Sequence, residues 1–245
     1  MQTTIQPRII ALIPAGGVGA RFGAATGSTL PKQYLPLAGE AMIFHTIATL
    51  AAVPSIHAVK TIIAPEDAYW QSYNFEARLP KLQALRVGGE TRAATVLNGI
   101  NALFAANEIT ADDWLLVHDA ARPCVGVARV SAFVDASVLE PVGGLLAGKV
   151  ADTIKASDAN NYITHTVPRD NLWAAQTPQM FRAGVLQNAL ESAIDAGKTV
   201  TDEAQAIAYL GLAPRLFASD NSNLKVTVPA DLLLAEMYLS QIGKI

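Results

Sequence analysis

A glycine-rich turn followed by two cations is the first feature of this sequence that could do chemistry. Glycines let backbone amides approach the oxygens of an anion, and successive amides form a concave anion site. Arg21 and Lys32 follow the turn and would add positive charge to it. The pattern is typical of a loop that binds phosphate groups, and the alternative is a turn that only redirects the chain. The turn contains Pro14, Ala15, Gly16, Gly17 and Gly19.

This turn matches neither of two common nucleotide-binding motifs. A P-loop has glycine directly before its lysine and Ser or Thr directly after it, whereas Lys32 stands between Pro31 and Gln33. The dinucleotide fingerprint needs a third glycine where Phe22 stands. The sequence therefore argues against a P-loop protein and against a dinucleotide-dependent dehydrogenase.

An aspartate follows a later apolar run and is the candidate metal ligand. Asp119 comes two residues after the run Trp114–Val117. A carboxylate at such a strand end is suited to hold Mg²⁺ that is bound to triphosphate oxygens. The alternative is that Asp119 caps a turn or pairs with Arg122. We interpret His118, beside the apolar run, as a buried and hydrogen-bonded structural residue rather than a general base.

A second glycine turn precedes a predicted helix. Gly88 and Gly89 expose backbone groups that, with Thr95 nearby, could read the edge of a nucleobase. The alternative is an ordinary helix start in which Glu90 and Thr91 serve the helix end. Four further groups of polar residues have the same ambiguity: Asp152 with Thr153, 167–169 with 176–179, 201–203, and 220–227.

Alternating strand-like and helix-like segments must position these polar residues. Short apolar or β-branched runs predict strands at 9–13, 58–64, 82–87, 114–117, 144–149 and 214–218. Helical spacing predicts helices at 41–50, 91–105, 127–136, 183–196 and 202–210, and an amphipathic closing helix at 230–242. This alternation predicts an α/β fold with a doubly wound, mostly parallel sheet, and ligands bind such sheets at the carboxyl ends of the strands.

One segment departs from the alternation. Residues 150–169 carry β-branched side chains around the polar patch 157–161, which predicts two strands joined by a turn. We interpret this segment, at about 150–170, as a projecting β-arm. Because the sequence shows no internal repeat, low-complexity tract or linker, we expect residues 1–245 to form a single domain.

Composition excludes several classes of protein. A chain with 51% hydrophobic residues can bury a large core, and a net charge of −3 is unlike the basic surface of a nucleic-acid binder. One cysteine rules out a disulfide within the chain, and the four histidines have no paired zinc-ligand spacing. The apolar run after Arg8 is too short for a signal peptide, and none is long enough for a membrane helix. We therefore expect a soluble, cytoplasmic protein.

In their chain order, these motifs resemble one family over nearly the whole sequence, the 2-C-methyl-D-erythritol 4-phosphate cytidylyltransferases of the non-mevalonate isoprenoid pathway. The motifs are PAGGVGARF, PKQYL, GGETR, VHDAARP, DT, HTVPR, QTPQ, TDEA and DNSNLKVT. The resemblance implies a Rossmann-like fold and Mg²⁺-dependent transfer from CTP to a polyol phosphate, with release of pyrophosphate. It also implies a homodimer in which the β-arm of one subunit reaches the active site of the other.

The resemblance also implies a role for each matching residue. In the family the glycine-rich loop wraps CTP, so Pro14, Ala15, Gly16, Gly17 and Gly19 would face the nucleotide. The positions around the cytosine base match Gly89, Glu90 and Thr95. The catalytic positions match Arg21 and Lys32 at the α-phosphate, Lys225 at the phosphates and substrate, and Asp119 at magnesium. The polyol phosphate positions match Arg122, Asp152, Thr153, Arg169, Thr177 and Thr201.

The sequence departs from the family pattern in three places, and two alternative functions stay open. Gly16 stands where alanine is common, Glu90 replaces a common aspartate, and the long segment 23–30 is interpreted as a lid that orders with CTP. A ribitol-5-phosphate cytidylyltransferase would share the same loops, although HTVPR and QTPQ favour the methylerythritol substrate. A non-catalytic nucleotide-binding module is the other alternative, and the joint presence of Arg21, Lys32, Asp119 and Lys225 argues against it.

Overall fold

A seven-stranded sheet forms the centre of the structure, a computed structural model that describes residues 7–17 and 30–242. Two short hairpins lie outside this sheet. The strands are β1 (Ile9–Ala15), β2 (Pro36–Leu37), β3 (Glu40–Ala41), β4 (Ala58–Ile63), β5 (Leu82–Leu85), β6 (Trp114–Val117), β7 (Gly144–Lys149), β8 (Ile154–Ser157), β9 (Ile163–Val167), β10 (Trp173–Arg182) and β11 (Arg215–Ala218).

The strands of the main sheet run in the order β11-β7-β10-β6-β1-β4-β5. All neighbouring pairs are parallel except the two that involve β10, which is antiparallel to both β6 and β7. The prediction of a mostly parallel sheet is confirmed. Because β1, β4, β5 and β6 run in the same direction, their carboxyl ends share one edge of the sheet.

Helices cover both faces of this sheet. Among the described residues, the α-helices are α1 (Met42–Ala52), α2 (Phe75–Arg78), α3 (Arg92–Ala105), α4 (Val127–Ser137), α5 (Ala183–Asp195), α6 (Glu203–Tyr209) and α7 (Ala230–Ile242). Side chains of α1 and α4 pack in one apolar cluster, and those of α3, α5 and α6 in another. Along β1, Ile9 and Ile13 enter the first cluster while Ile10 and Leu12 enter the second, as the period of two in a strand requires. The doubly wound prediction is therefore confirmed. Within the described residues, no helix combines the length and apolar character needed to span a bilayer.

The strand β10 was not predicted, because 176–179 were interpreted only as a group of polar residues. Residues 176–181 are all buried, and Gln176, Thr177 and Pro178 fall between two paired stretches where the register shifts. Proline cannot donate to a sheet ladder and argues against a central strand. The irregularity removes that conflict, since the ladder pairing resumes only at Gln179.

The predicted β-arm is present as a hairpin. Strands β8 and β9 pair antiparallel in a sheet of their own, and most of their side chains are exposed. Near its turn, Tyr162 is 73% and Ile163 66% exposed, although both are large and hydrophobic. The arm thus stands away from the two apolar clusters.

The closing helix α7 has the predicted bounds but is not amphipathic. Its inner face buries Ala235 against Val226 and the start of α1. Its outer face exposes Leu233, Leu234 and Met237. The apolar residues therefore lie on both faces of this helix.

Candidate active site

A cleft of about 630 Å³ opens at the carboxyl ends of β1, β4, β5 and β6. Each strand end contributes a segment of its lining, and Lys32 and Lys225 come from elsewhere in the chain. The predicted site residues in this lining are Pro14, Ala15, Gly16, Gly17, Lys32, Gly89, Glu90, Thr95, Asp119 and Lys225. Gly19, Arg21 and most of the segment 23–30 lie outside the described residues, so their roles stay predictions.

The two glycine turns touch each other at the mouth of the sheet. A Cβ on Gly16 would meet the Cα of Gly88 at 3.1 Å and the Thr95 hydroxyl at 3.2 Å. A Cβ on Gly88 would meet the carbonyl oxygen of Ile63 at 2.9 Å. This close approach leaves little space for larger residues, and it brings backbone from both turns into the same cleft.

The start of α3 combines both of the interpretations offered for its sequence. Thr91 is the N-cap, because its hydroxyl accepts a hydrogen bond from the Ala94 amide at 3.0 Å. The Thr95 hydroxyl accepts one from the Gly89 amide at 3.1 Å and so braces the glycine turn. Glu90 is exposed and faces the cleft. The helix start is thus ordinary in geometry, but it also lines the cleft.

Asp119 lies at the centre of a cluster of cations. Its Oδ1 accepts a hydrogen bond from Nε of Arg92 at 2.9 Å, and its Oδ2 lies 2.8 Å from Nζ of Lys225. Nε of Arg122 is 3.7 Å from the same Oδ2. Burial alone would raise the pKa of Asp119, but Arg92, Lys225 and Arg122 together hold that pKa well below its usual range. The carboxylate is therefore ionised at neutral pH.

Arg92 links Asp119 to a second buried carboxylate. Its Nη1 and Nη2 donate to the two carboxylate oxygens of Glu203 at 2.6 and 3.1 Å. The Glu203 side chain is only 1% exposed. The sequence analysis assigned no functional role to Arg92 or Glu203, although they lie in the motifs GGETR and TDEA. A charged residue beside a glycine turn was the available signal for Arg92.

His118 is buried, and both ring nitrogens have hydrogen-bond partners, as predicted. Nε2 lies 3.1 Å from the carbonyl oxygen of Arg122, which can only accept, so Nε2 carries the proton. Nδ1 therefore accepts from the Thr177 hydroxyl at 2.9 Å, and that hydroxyl accepts from the Asp119 amide at 3.0 Å. Burial lowers the pKa of His118 to about 4. The neutral histidine thus holds Thr177 and the backbone of Asp119 in place.

A smaller cleft of about 210 Å³ adjoins the first one. The two clefts share Arg92, Asp119 and Lys225. Three of the residues predicted for the polyol phosphate line the smaller cleft, namely Arg122, Thr177 and Thr201. The other three predicted residues, Asp152, Thr153 and Arg169, line neither cleft, because they flank the arm hairpin, where they are exposed.

The segment 220–227 connects both clefts to the core. Asn223 is fully buried, and its Nδ2 donates to Oε1 of Gln176 and to the carbonyl oxygen of Thr177, both at 2.8 Å. Nη1 of Arg122 donates to the Asn223 carbonyl oxygen at 2.6 Å, and Nζ of Lys32 donates to that of Val226 at 2.8 Å. Arg122 and Lys32 are therefore anchored on this one segment, which also carries Lys225.

The start of α6 departs from the sequence-based interpretation in one detail. For the group 201–203, the alternative to a functional role was a helix cap formed by Thr201 with Asp202 and Glu203. The N-cap is Asp202 alone, whose Oδ1 accepts from the Gln205 amide at 2.9 Å. The Thr201 hydroxyl bonds the side chain of Gln205 at 3.0 Å and lies at the smaller cleft.

Asp119 is the residue to test as a magnesium ligand. Within residues 7–17 and 30–242, no group of three or more His, Cys, Asp or Glu side chains is placed to hold a metal ion. One ionised carboxylate fits a Mg²⁺ ion whose other ligands are triphosphate oxygens and water. Both oxygens of Asp119 already contact cations, and each carboxylate oxygen has a second lone pair that a metal ion would use.

The fold and the clefts define the class of protein. A doubly wound sheet with a glycine-rich turn and several cations at the carboxyl ends of its strands is typical of α/β enzymes that bind phosphorylated substrates, nucleotides among them.

Comparisons with known proteins agree with this class and narrow it. The sequence model of the 2-C-methyl-D-erythritol 4-phosphate cytidylyltransferase (IspD) family matches residues 9–241. A protein of that name from Dechloromonas aromatica (strain RCB) is 51% identical over 233 residues, 95% of this chain and 98% of the relative. Another from Aromatoleum aromaticum is 48% identical over 238 residues, 97% of this chain and 98% of that relative.

Solved structures of the same family have the same fold. The crystal structure of a 4-diphosphocytidyl-2C-methyl-D-erythritol synthase superposes with a TM-score of 0.82 at 33% identity, covering 96% of this chain and all of the other. The Francisella tularensis enzyme superposes with a TM-score of 0.78 at 31% identity, covering 94% and 99% of the two chains. The chain belongs to the 2-C-methyl-D-erythritol 4-phosphate cytidylyltransferase family.

Proposed function

We propose that this chain transfers the cytidylyl group of CTP to 2-C-methyl-D-erythritol 4-phosphate and releases pyrophosphate. The observation that carries the proposal is the pair of adjoining clefts that share Arg92, Asp119 and Lys225. Two phosphorylated substrates must bring their reacting phosphates together, and both are anions. Together with Arg122 and Glu203, which contact these shared residues, the boundary has three cations and two carboxylates, and this excess of positive charge suits that meeting point.

The larger cleft supports the binding of CTP. Gly16 and Gly17 line this cleft, where their amides would face the phosphates, and Lys32 and Lys225 add positive charge. The cytosine base would lie at the turn of Gly89 and Glu90. Because the Thr95 hydroxyl is already bonded to Gly89, base recognition rests on backbone groups and on the exposed carboxylate of Glu90.

The smaller cleft supports the binding of the polyol phosphate. Arg122 and Thr201 offer donors to its phosphate and hydroxyl groups. A second copy of the chain would supply Asp152, Thr153 and Arg169 through its arm. This arrangement accounts for three predicted residues that lie outside both clefts of their own chain, and it is our reason for proposing a homodimer.

The chemistry needs positioning and charge rather than a nucleophilic side chain. A phosphate monoester is anionic near neutral pH, so its oxygen attacks the α-phosphorus of CTP without a general base. The new oxygen–phosphorus bond forms as the bond to the β-phosphate oxygen breaks, and pyrophosphate leaves with the electron pair. Lys32, Lys225 and, as predicted from sequence, Arg21 stabilise the charge that develops. Mg²⁺, held in part by Asp119, would neutralise the triphosphate and the leaving pyrophosphate.

We also propose a cytoplasmic location, because the reaction consumes CTP. A pyrophosphate-release assay with Mg²⁺, CTP and a panel of polyol phosphates tests the activity. We expect release with 2-C-methyl-D-erythritol 4-phosphate and a product of the corresponding mass, and far slower release with ATP, GTP or UTP. Turnover with ribitol 5-phosphate alone would reassign the substrate. Binding of CTP without any release would indicate a non-catalytic module.

A further inference from the structure

We propose that Arg92 and Glu203 are positioning residues that fix the Asp119 carboxylate at the boundary of the two clefts. This inference rests on the proposed function, since it assigns a role in the same reaction. Neither residue is expected to bind substrate as its main task. Their effect on turnover would instead pass through Asp119 and, from there, to Lys225.

The geometry of the guanidinium group carries the inference. Nε of Arg92 donates to Oδ1 of Asp119 at 2.9 Å, while Nη1 and Nη2 donate to Oε1 and Oε2 of Glu203 at 2.6 and 3.1 Å. These three nitrogens lie in one rigid plane. The orientation of the Glu203 carboxylate therefore determines where Nε points, and so where Oδ1 of Asp119 is held.

The far end of this chain of contacts is fixed to the fold. Glu203 is the first residue of α6, and its side chain is 1% exposed. The side chain of Gln179 in β10 accepts from the Ala204 amide at 2.8 Å and donates to Oδ2 of Asp202 at 3.0 Å. These bonds tie the start of α6 to the central sheet. Glu203 is thus a rigid reference point for Arg92.

Fixing one oxygen of Asp119 directs the other oxygen to the clefts. Because Oδ1 is held by Arg92, Oδ2 is the atom that contacts Lys225 at 2.8 Å. Lys225 is 42% exposed and belongs to both clefts. Without the Arg92–Glu203 pair, the Asp119 carboxylate could rotate, and Lys225 would lose its fixed partner.

Charge balance explains why a pair is needed rather than an arginine alone. Glu203 compensates the charge of Arg92, which leaves the charge of Asp119 available to Lys225 and Arg122. An arginine without Glu203 would compete with Lys225 for Asp119. We therefore expect loss of the pair to lower kcat more than it changes KM for CTP.

The test replaces the pair in a form that keeps the fold. Removing one partner would leave an unpaired buried charge, whereas replacing both with apolar residues is often neutral for stability. We expect the double variant Arg92→Met/Glu203→Leu to unfold cooperatively near the wild-type temperature and to lose up to about 10²-fold in kcat, the scale for a group misplaced by about 1 Å. The single variant Arg92→Lys keeps the positive charge but lacks the planar guanidinium group, so we expect it to lose kcat as well.

A double-mutant cycle separates positioning from a general structural effect. The same pair replacement is made in an Asp119→Asn background, and single-turnover assays with radiolabelled CTP keep slow variants measurable. If the pair acts through Asp119, the replacement should change the Asp119→Asn rate by no more than about twofold. Three outcomes would overturn the positioning role and leave the proposed function intact. In the first, the pair replacement lowers the rate by the same factor in the Asp119→Asn background as in the wild type. In the others, either the pair replacement alone or Asp119→Asn alone keeps the wild-type kcat. A wild-type chain that releases no pyrophosphate would refute both.

Discussion

Burial and the neighbouring cations shift the pKa of Asp119 in opposite directions, and the effect of the cations is larger. A carboxylate that is 10% exposed would be costly in isolation, but two cations lie within 2.9 Å of it and a third at 3.7 Å. Its pKa therefore stays well below the usual range. In the proposed reaction, the role of Asp119 depends on where its oxygens point rather than on gain or loss of a proton.

Lys32 is the cation of the larger cleft that the proposed mechanism needs most among the described residues. We expect Lys32→Ala to lower kcat by about 10²-fold, the scale for loss of one oriented donor to a developing charge. Steady-state pyrophosphate release measures this. Lys81→Ala is the control, because Lys81 stands at the amino end of β5, away from the cleft, and should keep near-normal turnover. Normal kcat in a folded Lys32→Ala protein would remove this residue from the mechanism.

Thr177 holds the backbone of Asp119 through a hydroxyl that both donates and accepts. Thr177→Val keeps the shape but leaves the buried Asp119 amide without its partner, so we expect a loss of about 1–3 kcal/mol in the free energy of unfolding. We also expect lower kcat, because Asp119 would shift. Thr177→Ser keeps the hydroxyl and is the matched control. Urea unfolding and steady-state kinetics that found Val and Ser equivalent would contradict this role.

At the scale of the elements, the pattern of apolar residues predicted most strands of the sheet. Strands β6 and β7 match their predicted bounds because strands buried on both faces of a parallel sheet are continuous apolar runs. Strand β10 could not be found in this way. Its buried glutamines are satisfied by side chains that are distant in sequence, such as Asn223 and Asp202. The pairing of Arg92 with Glu203, 111 residues apart, likewise depends on topology that no local pattern contains.

The amino edge of the sheet, opposite the cleft, is held by Asp113. Its carboxylate accepts from the backbone amide and the guanidinium of Arg8 at 2.7 and 2.9 Å and from the Thr110 amide at 2.9 Å. Burial would raise the pKa of Asp113, but these hydrogen bonds lower it below its ordinary value. A carboxylate with a lowered pKa contributes stability above its unfolded pKa of about 3.9, and that stability is lost as pH falls through the folded-state pKa.

We therefore expect Asp113→Asn to lower the free energy of unfolding by about 1–3 kcal/mol at pH 7, where the charge-assisted bonds are complete. The difference from wild type should shrink below about pH 4, because there the carboxyl of the unfolded wild-type chain takes up a proton more readily than that of the folded chain. Urea unfolding at pH 7 and pH 3 measures both values. Asp112→Asn, at an exposed neighbouring position, is the control. A difference between Asp113→Asn and wild type that stays constant with pH would exclude this linkage.

The arm is the element whose role depends on a second copy of the chain. Arg169 lies at the base of the arm and lines neither cleft, whereas Lys225 lines both. If each arm completes the partner's site, Arg169→Ala and Lys225→Ala should each inactivate the homodimer. Coexpression of the two should restore about a quarter of wild-type activity, because half of the dimers are mixed and each mixed dimer has one intact site.

The control for this complementation mixes two cleft variants, Lys32→Ala and Lys225→Ala. Every site in that mixed dimer has a damaged cleft, so activity should stay low. Sedimentation verifies that the coexpressed Arg169→Ala and Lys225→Ala chains form dimers. If these dimers show no restored activity, each arm serves the site of its own chain or no site.

At the scale of the whole molecule, the clefts depend on both faces of the sheet. Strand β1 places alternate side chains in the two apolar clusters and ends in the glycine turn. Asp119 follows β6, whose side chains alternate in the same way, and Glu203 begins a helix that packs on one face only. A ligand that contacts these segments together binds only the folded chain, so its binding free energy adds to the stability of the fold.

This linkage gives a prediction for the protein as a whole. CTP at about 100 times its Kd should add about 2.7 kcal/mol, which for a chain of this length corresponds to a rise in Tm of roughly 5–10 °C. ATP at the same concentration should give a much smaller rise, because its base does not fit the turn of Gly89 and Glu90. Scanning calorimetry with CTP, ATP and pyrophosphate distinguishes base recognition from phosphate recognition. Equal shifts with CTP and ATP would mean that the cleft reads only the triphosphate, and the assignment of cytosine to this turn would be wrong.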